Sequence, residues 1–189
     1  MARFTKAELQ DFRGAELPDL VGPGLKLLFV GINPGLWTAA VQTHFAHPAN
    51  RFYPALALAG ILERPVSPSD GMTDADREVF VARGLGITNL ASRATARADE
   101  LDAAELRAGG ERLVALVEEH RPRVVAVLGI TAYRSAFGVR GAVPGRQPDS
   151  LGGAELWVVP NPSGLNAHET IASLAEAYGA AARAAGVLP

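Results

Sequence analysis

The apolar run Leu27-Leu28-Phe29-Val30 stops at Gly31-Ile32-Asn33-Pro34-Gly35, and this junction constrains the fold more than any other stretch. Uninterrupted apolar residues suit a strand buried on both faces. Pro34 fixes its own φ and drives Asn33 out of helical geometry, while the two glycines permit a tight turn and close approach to the backbone. Asn33 is therefore expected at the carboxyl tip of a buried strand, its carboxamide turned to whatever fills the space beyond. Taken alone, the pentapeptide is also an ordinary turn.

The next segment adds chemistry to that tip. Phe45-Ala46-His47-Pro48-Ala49-Asn50-Arg51-Phe52 brings aromatic, imidazole, amide and guanidinium groups together. Pro54 is tolerated only in the first turn of a helix, so a helix is expected to start close to Asn50 and to run on through residues 53–62. A ring beside a helix N-terminus can stack on a planar ligand while free N–H groups meet its polar edge.

Strand and helix patterns then alternate. Gly86-Ile87-Thr88-Asn89-Leu90, Val124-Val125-Ala126-Val127-Leu128 and Leu156-Trp157-Val158-Val159 read as strands. Thr5 opens a short helix to about Arg13 through a capping box, Thr73 caps one ending at Gly84, and Asp102 caps one ending at Pro122. Further helices are expected over residues 131–137 and 171–182. Gly109-Gly110 inside a helix implies close packing, Pro65, Pro68 and Gly71 mark a loop, and residues 141–153 form a connection with room for a small hairpin. This alternation predicts an α/β fold: one domain over residues 1–189 in three α/β/α layers, with a central, mainly parallel sheet entered through a helix and loop at residues 1–24. Ligands of such sheets bind beyond the carboxyl ends of the strands. Asn33, Asn89 and Asn161 lie at or just after expected strand ends, so at least the first and last should share a rim.

Composition excludes several chemistries. With no cysteine, the chain cannot form disulfides, thiolate-held clusters or a cysteine nucleophile, and of its four histidines only His44 and His47 are close, while His120 and His168 have no spacing partners. No metal is expected. No segment approaches the roughly 18 apolar residues of a membrane span, and the first residues lack a signal peptide's apolar centre, so a cytoplasmic protein with no membrane partner is expected. A net charge of −2 argues against coating nucleic acid but allows a local grip on a few phosphates. Phosphate-loop, dinucleotide and nucleophile-elbow motifs are absent, and Ser163 has only His168 nearby in sequence as a base.

Gly31-Ile32-Asn33-Pro34-Gly35, Phe45 through Phe52, and Asn161-Pro162-Ser163-Gly164-Leu165 resemble, in this order, the mismatch-specific uracil-DNA glycosylases, relatives of thymine-DNA glycosylase within the uracil-DNA glycosylase superfamily. The resemblance spans roughly residues 25–180. It implies a uracil-DNA glycosylase-like fold and an enzyme that flips mispaired uracil, or another modified pyrimidine, from double-stranded DNA and hydrolyses its N-glycosidic bond. Base excision repair would follow, with downstream repair enzymes as partners. By position, Asn33 matches the catalytic asparagine that holds the attacking water, Ile32 a residue whose backbone touches the base, and Phe45 the stacking ring. Asn161 would bind the base or its departing oxygen, Ser163 would meet a phosphate, and Gly164-Leu165-Asn166 would form the wedge that fills the vacated stack. No cofactor is implied, and a monomer is expected. Strand nicking needs an amine nucleophile; Lys6 and Lys26 are the only lysines and neither lies in the motifs, so a monofunctional glycosylase without lyase activity is expected.

The chain also departs from its relatives. Trp37, Val41, Gln42 and His44 stand where mainly small residues are usual, and Asn166-Ala167 replaces a Ser-Arg pair. Asp99 is a further candidate, either a carboxylate for the water or a solvated charge before a helix. His47 and Arg51 read equally as loop braces. Two other functions stay open: a non-enzymatic module that recognises a damaged base or nucleotide, and a hydrolase of free nucleosides that would need no wedge.

Overall fold

The computed structural model describes residues 4–64 and 66–189; Pro65, placed by sequence in a loop, lies outside the described residues. Strand β1 (Leu27–Gly31) is buried at every position. Its side chains alternate between two cores, Leu27 and Phe29 on one face, Leu28 and Val30 on the other. Strand β2 (Leu85–Asn89) and strand β3 (Val124–Leu128) flank β1 and run parallel to it. Strand β4 (Gly145–Leu151) forms an antiparallel edge on strand β5 (Ala154–Val159), which runs parallel to β3, giving the order β2-β1-β3-β5-β4. The sheet is therefore mainly parallel. The hairpin allowed for in residues 141–153 is a full edge strand, and exposed Pro148 sits in its register shift, where no ladder hydrogen bond is needed.

Helices cover both faces. Helix α1 (Lys6–Gln10) starts at the Thr5–Glu8 capping box and ends sooner than expected, continuing as turns to Gly14. Helix α2 (Leu36–Ala40) follows Gly35 directly, and helix α3 (Phe52–Leu58) ends four residues before its expected stop, with Gly60 at φ +73° just beyond its cap. Helix α4 (Asp74–Ala82) and helix α5 (Ala103–His120) start at Thr73 and Asp102, each accepting a backbone N–H in its first turn. Helix α6 (Ile130–Phe137) and helix α7 (Ile171–Ala184) complete the set. α3 and α7 fill the Leu27/Phe29 side with Phe52, Leu56, Leu174 and Tyr178, while α5 and α6 fill the other with Leu113, Val117 and Tyr133. Each large apolar side chain so buried contributes about 2–3 kcal/mol.

The glycine pair of α5 packs as closely as the sequence implies. A Cβ on Gly109 would lie 2.0 Å from the Leu90 carbonyl oxygen. Arg112 donates to the same carbonyl at 2.7 Å, so α5 fixes the segment leaving β2. In the parallel register Gly31 pairs with Asn89. Asn33 follows two residues beyond β1, and Asn161 two residues beyond β5. All three asparagines thus sit on the sheet's carboxyl rim, around the point where the chain switches from one side of β1 to the other.

Candidate active site

The rim opens into a cleft of about 960 Å³ lined by Ile32, Asn33, Phe45, Asn89 and Asn161, with Ser163, Gly164, Leu165 and Asn166 on one wall. Every residue proposed from sequence for catalysis, base binding or the wedge lines this cleft. Each asparagine is held by a different network, and each network decides which end of the carboxamide is free.

Asn33 donates Nδ2 to the Pro34 carbonyl and to Thr95 Oγ1, both at 2.7 Å. Thr95, 1% exposed, spends its own proton on the Arg97 carbonyl at 2.7 Å, so towards Asn33 it can only accept. Turning the amide over would set oxygen against oxygen twice. Oδ1 of Asn33 is left as an acceptor with no hydrogen bond from any described residue.

Asn161 is fixed in the opposite sense. Its Oδ1 accepts the Ser163 N–H at 2.9 Å in a local turn, which leaves Nδ2 as the free donor. Ile32 and Asn161 meet above Gly129, where a Cβ would stand 3.5 Å from Ile32 Cδ1 and 3.8 Å from Asn161 Nδ2.

Asn89 points its Nδ2 at Nδ1 of His44, 3.2 Å away, while Nε2 of His44 lies 3.0 Å from the Pro18 carbonyl. A carbonyl only accepts, so Nε2 carries the ring proton. Burial pushes the His44 pKa down to about 4, against the pull of the Pro18 hydrogen bond and with help from nearby Arg77, so the ring is neutral and Nδ1 a bare acceptor. Asn89 keeps Oδ1 free, beside Gly31. A Cβ on Gly31 would lie 2.3 Å from that oxygen and 3.1 Å from the Phe45 ring, so only glycine lets amide and ring share this floor.

Phe45 has φ +55°, unusual for an aromatic residue and a mark of a backbone held by its surroundings. Its ring packs against Phe52 with centroids 4.2 Å apart and planes tilted by 33°. Tyr53 donates its hydroxyl to the His44 carbonyl at 3.0 Å and fixes the preceding residue.

The wall carrying Leu165 is tied to this loop through Arg51. Its guanidinium donates to the carbonyls of Ser163 (2.5 Å), Asn166 (2.8 Å) and Glu169, and its backbone N–H to Pro162 (3.0 Å). Arg51 is thus a brace, and so is His47, whose Nδ1 accepts the Ala49 N–H. Asn166 turns its amide inward to the Asn161 carbonyl at 3.0 Å, leaving Leu165, 89% exposed, as the apolar apex.

Other residues singled out by sequence take different places. Asp99 lines the cleft but engages Arg97 with both oxygens, at 3.1 and 2.6 Å, and is largely exposed. Trp37 and His44 line the cleft, whereas Gln42 turns away to the carbonyls of Ala39 and Glu16. Lys6, outside every motif, reaches the cleft from α1. Sequence marks His44 for its bulk beside the pocket, but neither Thr95 nor the hydrogen-bonding role of the His44 ring is legible in it. Their partners are 62 and 45 residues away in the chain, and no local pattern signals them.

Comparison with known proteins bears on the family and the fold. The sequence model of the family described as the uracil DNA glycosylase superfamily matches residues 18–181. Among solved structures, the fold is similar to the solution structure of a candidate uracil DNA glycosylase from Methanosarcina acetivorans, at 16% identity over 88% of this chain and 96% of that one, with a TM-score of 0.58.

Proposed function

The chain belongs to the uracil DNA glycosylase superfamily, and from this premise we propose that it is a monofunctional, mismatch-directed glycosylase that releases uracil from double-stranded DNA. The observation that carries the reading is the set of free amide ends in one cleft: an acceptor on Asn33, an acceptor with a neighbouring donor on Asn89, and a donor on Asn161. Uracil presents N3–H between two carbonyl oxygens. Oδ1 of Asn89 takes N3–H, the second proton of its Nδ2 reaches O4, and Nδ2 of Asn161 meets O2. The base slides against the Phe45 ring, itself supported from behind by Phe52.

Breaking the glycosidic bond builds positive charge on the sugar and negative charge on the departing pyrimidine, which N1 shares with O2 and O4. Donors fixed beforehand on those oxygens stabilise the transition state more than the ground state. Asn33 supplies the other half of the chemistry. Its Oδ1 accepts a hydrogen bond from a water and so aims that water's lone pair at C1′. An amide cannot take the proton away, so the water attacks late, after the bond to the base has stretched, and the adduct then loses its proton to the departed pyrimidine anion or to solvent. Asp99 bonds Arg97 with both oxygens, which supports giving the water to Asn33.

Reaching this cleft requires the nucleotide to leave the stack, at a cost of a few kcal/mol that is least for a mispaired base. Leu165 at the braced apex fits the role of the side chain that enters the gap, as apolar wedges do elsewhere. Ser163, loop N–H groups and Lys6 at the cleft can meet phosphates without a basic surface. A wedge would serve no purpose in a hydrolase of free nucleosides.

The test is single-turnover base release from duplexes carrying U·G, U·A, T·G or no lesion, with wild type and Asn33→Ala side by side. Uracil release from U·G, lost in the variant, is the expected result. Intact DNA in every wild-type lane, with binding retained, would replace the glycosylase by a recognition module.

A further inference from the structure

We propose that His44 is the positioning residue that sets which pyrimidine the cleft accepts, by holding the Asn89 carboxamide in its uracil-reading orientation. The inference rests on the glycosylase reading above and extends it to a buried side chain that acts through Asn89. A carboxamide is nearly symmetrical in shape and opposite in hydrogen bonding at its two ends. With Oδ1 towards the base, Asn89 pairs with N3–H and O4 of uracil. Turned over, it would offer N–H to an unprotonated N3 and oxygen to an amino group, the pattern of cytosine. Nothing in the residue itself prefers one orientation.

The preference comes from His44. Its ring is 3% exposed and spans from the Pro18 carbonyl to Asn89. The carbonyl can only accept, which places the proton on Nε2 and leaves Nδ1 as a lone pair. That lone pair accepts N–H and repels oxygen, so Nδ2 must face the ring. Pro18, the ring and Asn89 form a chain of two hydrogen bonds in which each polarity is dictated by the one before. The backbone that carries the ring is fixed as well, since Tyr53 donates its hydroxyl to the His44 carbonyl at 3.0 Å. The charged group facing this ring from α4 is Arg77, which bonds the Gln42 carbonyl at 2.9 Å and opposes any positive charge on the imidazole.

The experiment measures binding, which separates base reading from chemistry. Non-cleavable duplexes carry 2′-fluoro-2′-deoxyuridine, 2′-fluoro-2′-deoxycytidine or a tetrahydrofuran abasic analogue opposite guanine, and each is titrated with wild type, His44→Phe and His44→Gln. Phe keeps the bulk of the ring without the lone pair; Gln can donate to Pro18 and accept from Asn89 at once. Wild type should prefer the uracil duplex over the cytosine duplex by about tenfold or more, the range of one bidentate base contact. His44→Phe should lose most of that preference with the abasic duplex bound as before, and His44→Gln should restore it. A preference unchanged in His44→Phe, or an equal loss on all three duplexes, overturns the proposal. Should His44→Phe not fold, the nitrogen chemical shifts of the His44 ring in the wild type decide: a protonated Nδ1 at neutral pH overturns it, and an unprotonated Nδ1 bonded to the Asn89 amide supports it. A wild type that neither releases uracil nor prefers the uracil duplex would instead refute the glycosylase reading.

Discussion

Lowering the pH from 7.5 to 5 is expected to remove about 2 kcal/mol of folding stability through His44 alone. In the unfolded chain an imidazole titrates near 6.5; in the fold burial holds His44 at about 4. A depressed folded pKa means that the unfolded state binds the proton first. The stabilising contribution is therefore complete above about pH 6.5, declines by about 1.4 kcal/mol per pH unit between there and pH 4, and levels off below. Integrated to pH 5 the loss is about 2 kcal/mol, and to the plateau about 3 kcal/mol. Either is a large share of a typical domain stability of roughly 5–15 kcal/mol. Asp19, whose pKa burial raises, acts in the opposite direction as the pH falls. The measurement is accordingly a difference. Urea denaturation of wild type and His44→Gln, at half-unit steps from pH 7.5 to 4.5, cancels what the two chains share. The stability gap between them should shrink by about 2 kcal/mol by pH 5. Parallel curves would show that His44 is not held neutral in the fold, and the orientation assigned to Asn89 would lose its foundation.

Three further outcomes follow from the same geometry. Gly31→Ala places a methyl group 2.3 Å from Oδ1 of Asn89, so uracil release should fall by about two orders of magnitude through displacement of the base-reading amide; circular dichroism checks that the sheet persists. Leu165→Ala removes an 89% exposed side chain, so the thermal midpoint should stay within about 1 °C, in keeping with the small effect of surface changes, while release from U·G duplexes drops about tenfold or more; an unchanged rate would remove the wedge from the mechanism. Because Lys6 reaches the cleft, absence of lyase activity needs a direct check: borohydride added during turnover should trap no protein–DNA crosslink, and a crosslink lost in Lys6→Ala would make that amine a nucleophile.

The parts of the fold legible in sequence are those whose cause is local. β1 and β3 announce themselves because both faces are buried, so no polar residue interrupts them. Thr5, Thr73 and Asp102 mark helix starts because a cap bonds its own first turn. α2 escapes because five residues are too few to carry a helical pattern, and it is held by packing of Leu36 and Ala39 against Leu9, Phe12 and Ala15 rather than by propensity. β4 escapes because an edge strand with Arg146, Pro148, Asp149 and Ser150 exposed has no apolar period to read.

The site divides along the same line. Strand-end position is enough to nominate Asn33 and Asn161, the ordered motifs and their family resemblance nominate Phe45 and Leu165, and all four line one cleft. What sequence withholds is orientation. An asparagine offers a donor and an acceptor, and the letter does not say which one reaches the ligand. For Asn161 the deciding partner is two residues away and forms a common turn; for Asn33 and Asn89 it comes from another part of the chain. In each case the partner's polarity is itself forced, by a carbonyl that cannot donate or a backbone N–H that cannot accept. The cleft's hydrogen-bonding pattern is thus set one step outside the residues that would touch the base, and substitutions at Thr95 and His44 are the ones expected to change selectivity or rate while every contacting residue stays in place.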